Sequence, residues 1–205
     1  MTAVGVSGIV LAGGASRRFG GDKLSAPYDG AQLLDRAVAA VASHCTEVLV
    51  VLAPGDERAL RPAAAVVPIR RVHDPMPHGG PLVGLLAGLE AAREPIVLVA
   101  GGDMPTMAGE VLRALVGALV AAEGLADAAV LVQRNVAQPL PAAYRNGAAT
   151  QAARRLLADD ERSLMALLRA LRLRRLEEPD WRGFDPAGET LRDVDRPGDL
   201  EVPGT

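Results

Sequence analysis

Short, wholly apolar runs alternate along the chain with longer stretches whose apolar residues recur at helical spacing. The runs at residues 9–12, 48–52 and 95–100 predict strands that are covered on both faces, as in a parallel sheet. The stretches at 32–45 and 109–123 predict amphipathic helices. This alternation predicts a Rossmann-like, doubly wound α/β fold, in which a mostly parallel sheet has helices on both faces and ligands at the carboxyl ends of its strands.

The remaining elements are predicted from shorter patterns. We expect a short helix at 57–65, a helix beginning at Pro81, strands at 68–72, 128–132, 139–144 and 173–176, and helices at 147–157 and 163–171. Pro139 and Pro141 indicate an edge strand or an exposed crossing. Because no linker or repeat interrupts the pattern, we expect a single domain over residues 1–205, with 127–190 as a variable lobe.

The composition narrows the class of protein. The chain is 49% hydrophobic but only 2% aromatic, so its core should be aliphatic. The 22 basic and 25 acidic residues leave a net charge of -3, which argues against a dedicated binder of nucleic acid or of anionic membranes. Its single cysteine, Cys45, excludes an intrachain disulfide framework. Because no signal peptide or membrane span is visible, we expect a soluble cytoplasmic protein.

The stretch 9–23, IVLAGGASRRFGGDK, has the composition of an anion-binding loop that follows a strand. It offers two glycines that let backbone N–H groups approach a ligand and three cations that can offset negative charge, namely Gly13 and Gly14 with Arg17, Arg18 and Lys23. The loop is not of the Walker type, because Lys23 follows Asp22 and precedes no Ser or Thr. The alternative is a strand-to-helix turn with solvated arginines.

Three further places carry candidate chemistry. Gly79 and Gly80 precede a helix, so a ligand can approach the backbone there. Asp103 directly follows the apolar run 95–100 and its two glycines, where it would either ligate a metal or cap the next helix. Asp193 and Asp195, two residues apart at a predicted strand end, would face the same side and could hold a cation or a polar substrate.

Four motifs in this order resemble one known family. LAGGASRRFGGDK at 11–23, GGPLVG at 79–84, GGDMP at 101–105 and DVDRPGDL at 193–200 are similar to the signatures of the molybdenum cofactor guanylyltransferases and related nucleotidyltransferases. The resemblance covers the whole chain. It implies a nucleotide-diphospho-sugar transferase type of fold and a Mg²⁺-dependent nucleotidyl transfer.

The substrates implied are GTP and the molybdopterin-bound molybdenum cofactor, with GMP transferred and pyrophosphate released. The resemblance also implies transient contact with the enzymes that accept the cofactor. Two alternatives stay open. One keeps the chemistry but uses CTP or another phosphorylated acceptor, and the other is a non-catalytic nucleotide-binding protein.

Site residues follow from the resemblance position by position. The implied catalytic residues are Arg18, Lys23 and Asp103, and the implied Mg²⁺ ligands are Asp103 and Asp195. The implied nucleotide contacts are Leu11, Ala12, Gly13, Gly14, Arg18, Lys23, Asp74, Gly80, Pro81, Leu82 and Asp103. The implied acceptor contacts are Gln138, Asp193 and Asp195.

Some positions allow a second interpretation or depart from the family. Asp74 could instead cap a turn, and Asp195 could bind the acceptor rather than the metal. Arg17 falls on a variable position, so we expect it to be solvated. Ala53 stands where the family has Asn, and Arg196 stands where it has Thr, so one contact to the base and the nature of the acceptor are in question.

Overall fold

A computed structural model describes residues 4–13, 19–60, 67–77 and 79–200 of the chain. Its strands are β1 (Val6–Ala12), β2 (Pro27–Tyr28), β3 (Ala31–Gln32), β4 (Glu47–Leu52), β5 (Ile69–His73), β6 (Ile96–Gly101), β7 (Ala128–Gln133), β8 (Val136–Arg145) and β9 (Leu173–Leu176). Its helices are α1 (Leu33–Ala42), α2 (Pro81–Ala91), α3 (Gly109–Ala121), α4 (Asn146–Ala158), α5 (Leu164–Ala170) and α6 (Glu178–Trp181). Short 3₁₀ helices lie at Lys23–Ser25, Glu189–Leu191 and Pro197–Leu200.

Seven strands form one sheet in the order β5-β4-β1-β6-β8-β7-β9. β5, β4, β1 and β6 are parallel, β8 is antiparallel to both of its neighbours, and β9 is parallel to β7. Every residue of β4 and of β6 is buried, as the apolar runs at 48–52 and 96–100 predict; the one charged residue among them is Glu47 at the start of β4. The predicted α/β fold with a mostly parallel sheet is confirmed.

Helices cover both faces of this sheet, as the doubly wound pattern predicts. Apolar side chains of α1 and α3, among them Val38 and Leu115, pack against one face. Those of α2, α4 and α5, among them Leu85 and Leu167, pack against the other. The segment 127–190 contributes β7, β8 and β9 to the same sheet. Among the described residues no helix is long and apolar enough to cross a membrane.

The strand β8 lies inside the sheet, so the expectation of an edge strand or an exposed crossing is wrong. It pairs with β6 on one side and with β7 on the other. Pro139 and Pro141 lie between Ala137 and Ala142, the stretch in which the pairing with β7 shifts register. A proline is tolerated there because no regular ladder requires its missing N–H group.

Some predicted helix bounds also differ. Residues 57–60 have no regular structure, so the helix at 57–65 is wrong over these residues; 61–66 lie outside the described residues. The backbone N–H of Arg58 donates to Asp56 Oδ1 at 3.0 Å, a local contact that favours a loop over a helix. The helix α3 ends two residues before Glu123, which with Gly124 has positive φ and terminates the helix.

A polar cluster is buried at the amino ends of the central strands. Glu47, 4% exposed, accepts hydrogen bonds from Ser7 Oγ at 2.9 Å, from Arg70 Nη1 at 2.9 Å and from the Arg93 backbone N–H at 3.0 Å. Burial alone would raise the pKa of Glu47, but the hydrogen bonds and the charge of Arg70 outweigh it and lower the pKa.

Glu47 should therefore make folding sensitive to acid. Because its pKa is depressed in the folded state, its contribution is present above its ordinary pKa of 4.5 and is lost as pH falls through the folded value. Urea unfolding of wild type and Glu47→Gln from neutral pH downwards should show the two free energies of unfolding converging in acid. A difference in the free energy of unfolding between the two proteins that stays constant with pH would contradict this role of Glu47.

Candidate active site

The carboxyl ends of the parallel strands gather candidate residues from separate motifs at one edge of the sheet. Gly13 follows β1, Asp74 follows β5, and Asp103 lies two residues beyond the end of β6. The Gly102 N–H donates to the Leu11 carbonyl at 2.9 Å, which joins the ends of β1 and β6 directly. A Cβ on Gly102 would lie 3.2 Å from that carbonyl oxygen, so the contact requires glycine or a shift of the backbone.

Lys23, the only lysine in the sequence, brings two distant carboxylates together. Its Nζ donates to Asp103 Oδ2 at 2.8 Å and to Asp195 Oδ1 at 3.2 Å. The side chain of Lys23 is only 10% exposed, whereas those of Asp103 and Asp195 are 31% and 47% exposed. The amine is thus enclosed, and the two carboxylates face solvent around it.

The local structure explains why the Lys23 amine keeps its charge. Lys23 begins a 3₁₀ helix in which the next residue, Leu24, packs into the core. Burial alone would lower the pKa of Lys23, but the hydrogen bonds and charges of Asp103 and Asp195 outweigh burial and raise the pKa. The site therefore contains a fixed cation at neutral pH.

The C-terminal segment returns to this cluster through Val194. Its backbone N–H donates to the Asp103 carbonyl at 3.0 Å. Its side chain is fully buried against Tyr28 and Leu33, beside the 3₁₀ helix that carries Lys23. An apolar anchor thus places the carboxylates on either side of Val194 next to the end of β6.

The residue that shapes the next turn is Asp199. One of its carboxylate oxygens, Oδ2, accepts N–H groups from Asp195 at 3.0 Å and from Arg196 at 2.7 Å. This backbone pattern does not depend on the side chain at position 196, where the family has Thr, and the Arg196 residue is exposed. The departure from the family motif therefore leaves the turn intact.

Asp193 lies in a segment without regular secondary structure after the 3₁₀ helix Glu189–Leu191, so the strand end predicted for it is absent. Partial desolvation, together with the negative charges of Asp195 and Asp103, raises the pKa of Asp193. Asp193 thus belongs electrostatically to the same acidic cluster, although the residue itself is exposed.

Two of these carboxylates suit a divalent cation. Oxygens of Asp103 and Asp195 lie 2.8 and 3.2 Å from the same ammonium nitrogen, so they already converge on one positive charge. Mg²⁺ prefers hard oxygen ligands and often takes only one or two protein carboxylates, with phosphates and water completing its shell. Within the described ranges no group of three or more His, Cys, Asp or Glu could hold a metal, so a protein-only cage is not formed there.

The turn before α2 is held by a residue that we did not predict. Gly80 has a φ of 87°, which glycine adopts readily, and Pro81 begins the helix. The Leu82 N–H donates to the Arg162 carbonyl at 3.3 Å, and Arg162 Nη1 donates to the Gly79 carbonyl at 3.2 Å. Because Arg162 lies in a loop between two helices, no local pattern in the sequence singles it out.

Asp74 caps a turn in this structure, which is the alternative that its loop position allowed. Its Oδ1 accepts the Met76 N–H at 2.9 Å. Gln138 lies near the start of β8, and its Nε2 donates to the Val136 carbonyl at 3.1 Å. The nucleotide contact of Asp74 and the acceptor contact of Gln138 stay predictions. Gly14, Arg17 and Arg18 lie outside the described residues.

Comparisons with known proteins agree with the motifs. A model of the "MobA-like NTP transferase domain" matches residues 8–176. A probable molybdenum cofactor guanylyltransferase of Chloroflexus aggregans is 36% identical over 203 residues, covering 96% of this chain and 92% of that protein. A molybdenum cofactor guanylyltransferase of Desulfosudis oleivorans is 29% identical over 198 residues, covering 96% and 93%.

Solved structures support the fold. Molybdopterin-guanine dinucleotide biosynthesis protein A from Archaeoglobus fulgidus has a TM-score of 0.72 at 23% identity and covers 95% of this chain and 94% of its own. A 4-diphosphocytidyl-2C-methyl-D-erythritolsynthase from Anaerococcus prevotii has the same TM-score of 0.72 at 14% identity, with 96% and 95% covered. Both solved structures share the fold of this chain, although they are only 23% and 14% identical to it.

Proposed function

The chain belongs to the MobA-like NTP transferase family, and from this membership we propose that it transfers GMP from GTP to the phosphate of molybdopterin-bound molybdenum cofactor. The observation that carries the proposal is the Lys23 cluster, in which one enclosed cation meets Asp103 and Asp195 at the carboxyl edge of the sheet. Family motifs far apart in sequence supply all three residues. The relatives named above as molybdenum cofactor guanylyltransferases support the choice of substrates.

The reaction joins two anions. An oxygen of the acceptor phosphate forms a bond to the α-phosphorus of GTP, while the bond from that phosphorus to the bridging β-phosphate oxygen breaks and pyrophosphate leaves with the electron pair. The main obstacles are repulsion between the phosphates and the loss of freedom on bringing them into line. Lys23 offsets the first obstacle, and we propose that Arg18 adds a second cation from the same loop.

We propose Asp103 and Asp195 as the ligands of a Mg²⁺ ion. Their convergence on the Lys23 ammonium supports this assignment, because the same oxygens can face a divalent cation. When bound, Mg²⁺ would neutralise charge on the triphosphate and on the departing pyrophosphate. Lys23 would remain beside these carboxylates as a positive charge that belongs to the protein itself.

We assign the two substrates to neighbouring parts of the edge. The backbone of Leu11, Ala12, Gly13 and Gly14, the turn at Gly80, Pro81 and Leu82, and Asp74 would receive the nucleotide. Gln138 at the start of β8, with Asp193 and Asp195 of the C-terminal segment, would receive the acceptor. If Asp195 contacts both the metal and the acceptor, as we propose, the acceptor would lie beside the triphosphate, as transfer between them requires.

We further propose that residues 1–205 act as one nucleotidyltransferase domain in the cytoplasm. The participation of β7, β8 and β9 in the same sheet as β1 supports a single unit. Transient contact with the enzymes that accept the finished cofactor would follow from this reaction, because its product must be handed on.

Nucleotide choice gives a direct test. With Mg²⁺ present, GTP at about a hundred times its Kd should raise the free energy of unfolding by about 2.7 kcal/mol, and CTP should raise it much less. Thermal shift over a panel of nucleotides measures this difference. Pyrophosphate release with GTP and molybdenum cofactor then tests turnover.

The outcomes separate the alternatives. Preferential stabilisation by CTP would replace guanylyl with cytidylyl transfer. GTP binding without pyrophosphate release, in the presence of cofactor and Mg²⁺, would favour another acceptor or a non-catalytic nucleotide-binding protein.

A further inference from the structure

Arg58, in the loop after β4, contacts two carboxylates from different parts of the chain. Its Nε and Nη2 donate to Asp56 Oδ2 at 2.8 and 2.6 Å, and its Nη1 donates to Asp22 Oδ1 at 3.0 Å. We call the three residues Asp22, Asp56 and Arg58 the Arg58 clasp. None of them was a candidate on sequence grounds, apart from the presence of Asp22 in the first motif.

Further hydrogen bonds hold the Arg58 clasp at both of its ends. The side chains of Arg58 and Asp56 are only 20% and 18% exposed. The Arg58 N–H also donates to Asp56 Oδ1, so this end of the clasp is fixed within one short loop. At the other end, Ser25 Oγ donates to Asp22 Oδ2 at 2.5 Å, which anchors Asp22 to the 3₁₀ helix that begins at Lys23.

The electrostatics agree with this geometry. Partial burial opposes ionisation of Asp22, but hydrogen bonds from Ser25 and Arg58 and the charge of Arg58 outweigh it and lower the pKa of Asp22. The same balance, with Arg58 as the partner, lowers the pKa of Asp56. Both carboxylates are therefore charged at neutral pH, and their two negative charges exceed the single positive charge of Arg58.

The clasp connects the backbone before Lys23 to the loop of the neighbouring strand. β4 lies beside β1 in the sheet and is parallel to it, so the segments that follow both strands leave from the same edge. Asp22 is the residue immediately before Lys23. A link from Asp22 to the β4 loop thus restrains the point from which the Lys23 side chain enters the site.

We propose that Arg58 is a positioning residue of the nucleotide site, which clasps Asp22 to Asp56 and thereby fixes the backbone that presents Lys23 to a triphosphate. This inference rests on the proposed function. The competing role for Arg58 is direct binding of phosphate. That role fits the structure less well, because all three guanidinium nitrogens already donate to the two carboxylates.

The two roles predict opposite effects of Asp22→Asn. If Arg58 positions Lys23, Asp22→Asn weakens the clasp and raises the KM for GTP. If Arg58 binds phosphate, the same change frees its charge and lowers the KM. For the positioning role we expect Arg58→Ala to lower kcat/KM for GTP about tenfold, through a higher KM and a lower kcat, because the misplaced Lys23 amine is proposed to act both in binding and in transfer. Arg58→Lys should recover part of the loss.

A double-mutant cycle and a matched control complete the design. Arg58→Ala combined with Asp22→Asn should be little worse than Arg58→Ala alone, because both changes break the same contact. Arg172→Ala serves as the control. Arg172 makes a similar two-point contact with Asp127, at 2.9 and 2.7 Å, but at the amino end of β7 and away from the site. The Arg172→Ala variant should have the same KM for GTP as wild type.

Hydrogen exchange separates failure of this inference from failure of the proposed function. In the protein without nucleotide, amides of residues 19–28 should exchange faster in Arg58→Ala than in Arg172→Ala. If wild type turns over no GTP, the proposed function fails and exchange alone decides about the clasp. Unchanged exchange, an unchanged KM in Arg58→Ala, or a lower KM in Asp22→Asn would each overturn the positioning role.

Discussion

Replacing Lys23 by methionine is expected to lower turnover of GTP about 10²- to 10³-fold, the usual loss when one preorganised donor to a developing charge is removed. Methionine keeps the apolar stem that is buried beside Leu24 but removes the cation between Asp103 and Asp195. No protein cation would then offset the repulsion between these carboxylates and the phosphates at this point. Steady-state pyrophosphate release with GTP, Mg²⁺ and molybdenum cofactor measures the effect.

Asp103→Asn should cause a loss of similar size for a different reason, because the amide keeps the shape but loses the charge proposed to hold Mg²⁺. Arg154→Met is the matched control. It removes a cation that pairs with Glu90 at 2.8 Å on an exposed helix face. Circular dichroism and thermal unfolding should show that all three variants are folded. Turnover of Lys23→Met within about threefold of wild type would remove Lys23 from the catalytic assignment.

The arrangement of the Lys23 cluster could be predicted only in part. Lys23 and Asp103 were predicted individually, because the fold alone seldom requires glycines, cations and a carboxylate directly after apolar runs. Their contact with Asp195 could not be derived in this way, since 172 residues separate it from Lys23. It depends on burial of Val194 beside Tyr28, which no periodicity reveals.

Other features had no sequence signal at all. Arg58 and Arg162 are two arginines among many, and their roles come from the carboxylate or carbonyl that the fold places opposite them. The interior position of β8 was missed because its prolines argue for an edge, whereas a register shift accommodates them. Side-chain pairing between loops and the accommodation of prolines are both decided by tertiary structure rather than by local pattern.

The C-terminal segment that carries Asp195 back to the site has an aromatic anchor, Trp181, in addition to Val194. Trp181 is fully buried, and its indole N–H donates to the Val132 carbonyl of β7 at 3.2 Å. Beyond it, Asp185 accepts the N–H groups of Gly188 and Thr190 and shapes the chain toward the next 3₁₀ helix. Removing the indole should therefore loosen the start of this segment, which between Trp181 and Val194 is shaped by the polar contacts of Asp185.

Trp181→Ala is expected to lower the free energy of unfolding by about 3 to 5 kcal/mol, the range for truncation of a large buried aromatic side chain. Trp181→Phe should destabilise the protein less, because phenylalanine fills most of the volume of the indole. It still leaves the Val132 carbonyl without its donor, which should lower the free energy of unfolding by about 1 to 3 kcal/mol. Urea unfolding followed by circular dichroism measures both variants, since the native Trp fluorescence is lost in each.

Phe184→Ala provides the matched control, because Phe184 lies three residues away but is 54% exposed. Its substitution should change the free energy of unfolding by less than about 0.5 kcal/mol. Equal effects of Trp181→Ala and Phe184→Ala would show that the indole does not anchor the segment. If the anchor is real, destabilisation should reach the site as well. The contact between Lys23 and Asp195 requires the chain after Trp181 to be folded. As the temperature rises, binding of GTP should therefore be lost earlier in Trp181→Ala than in Phe184→Ala.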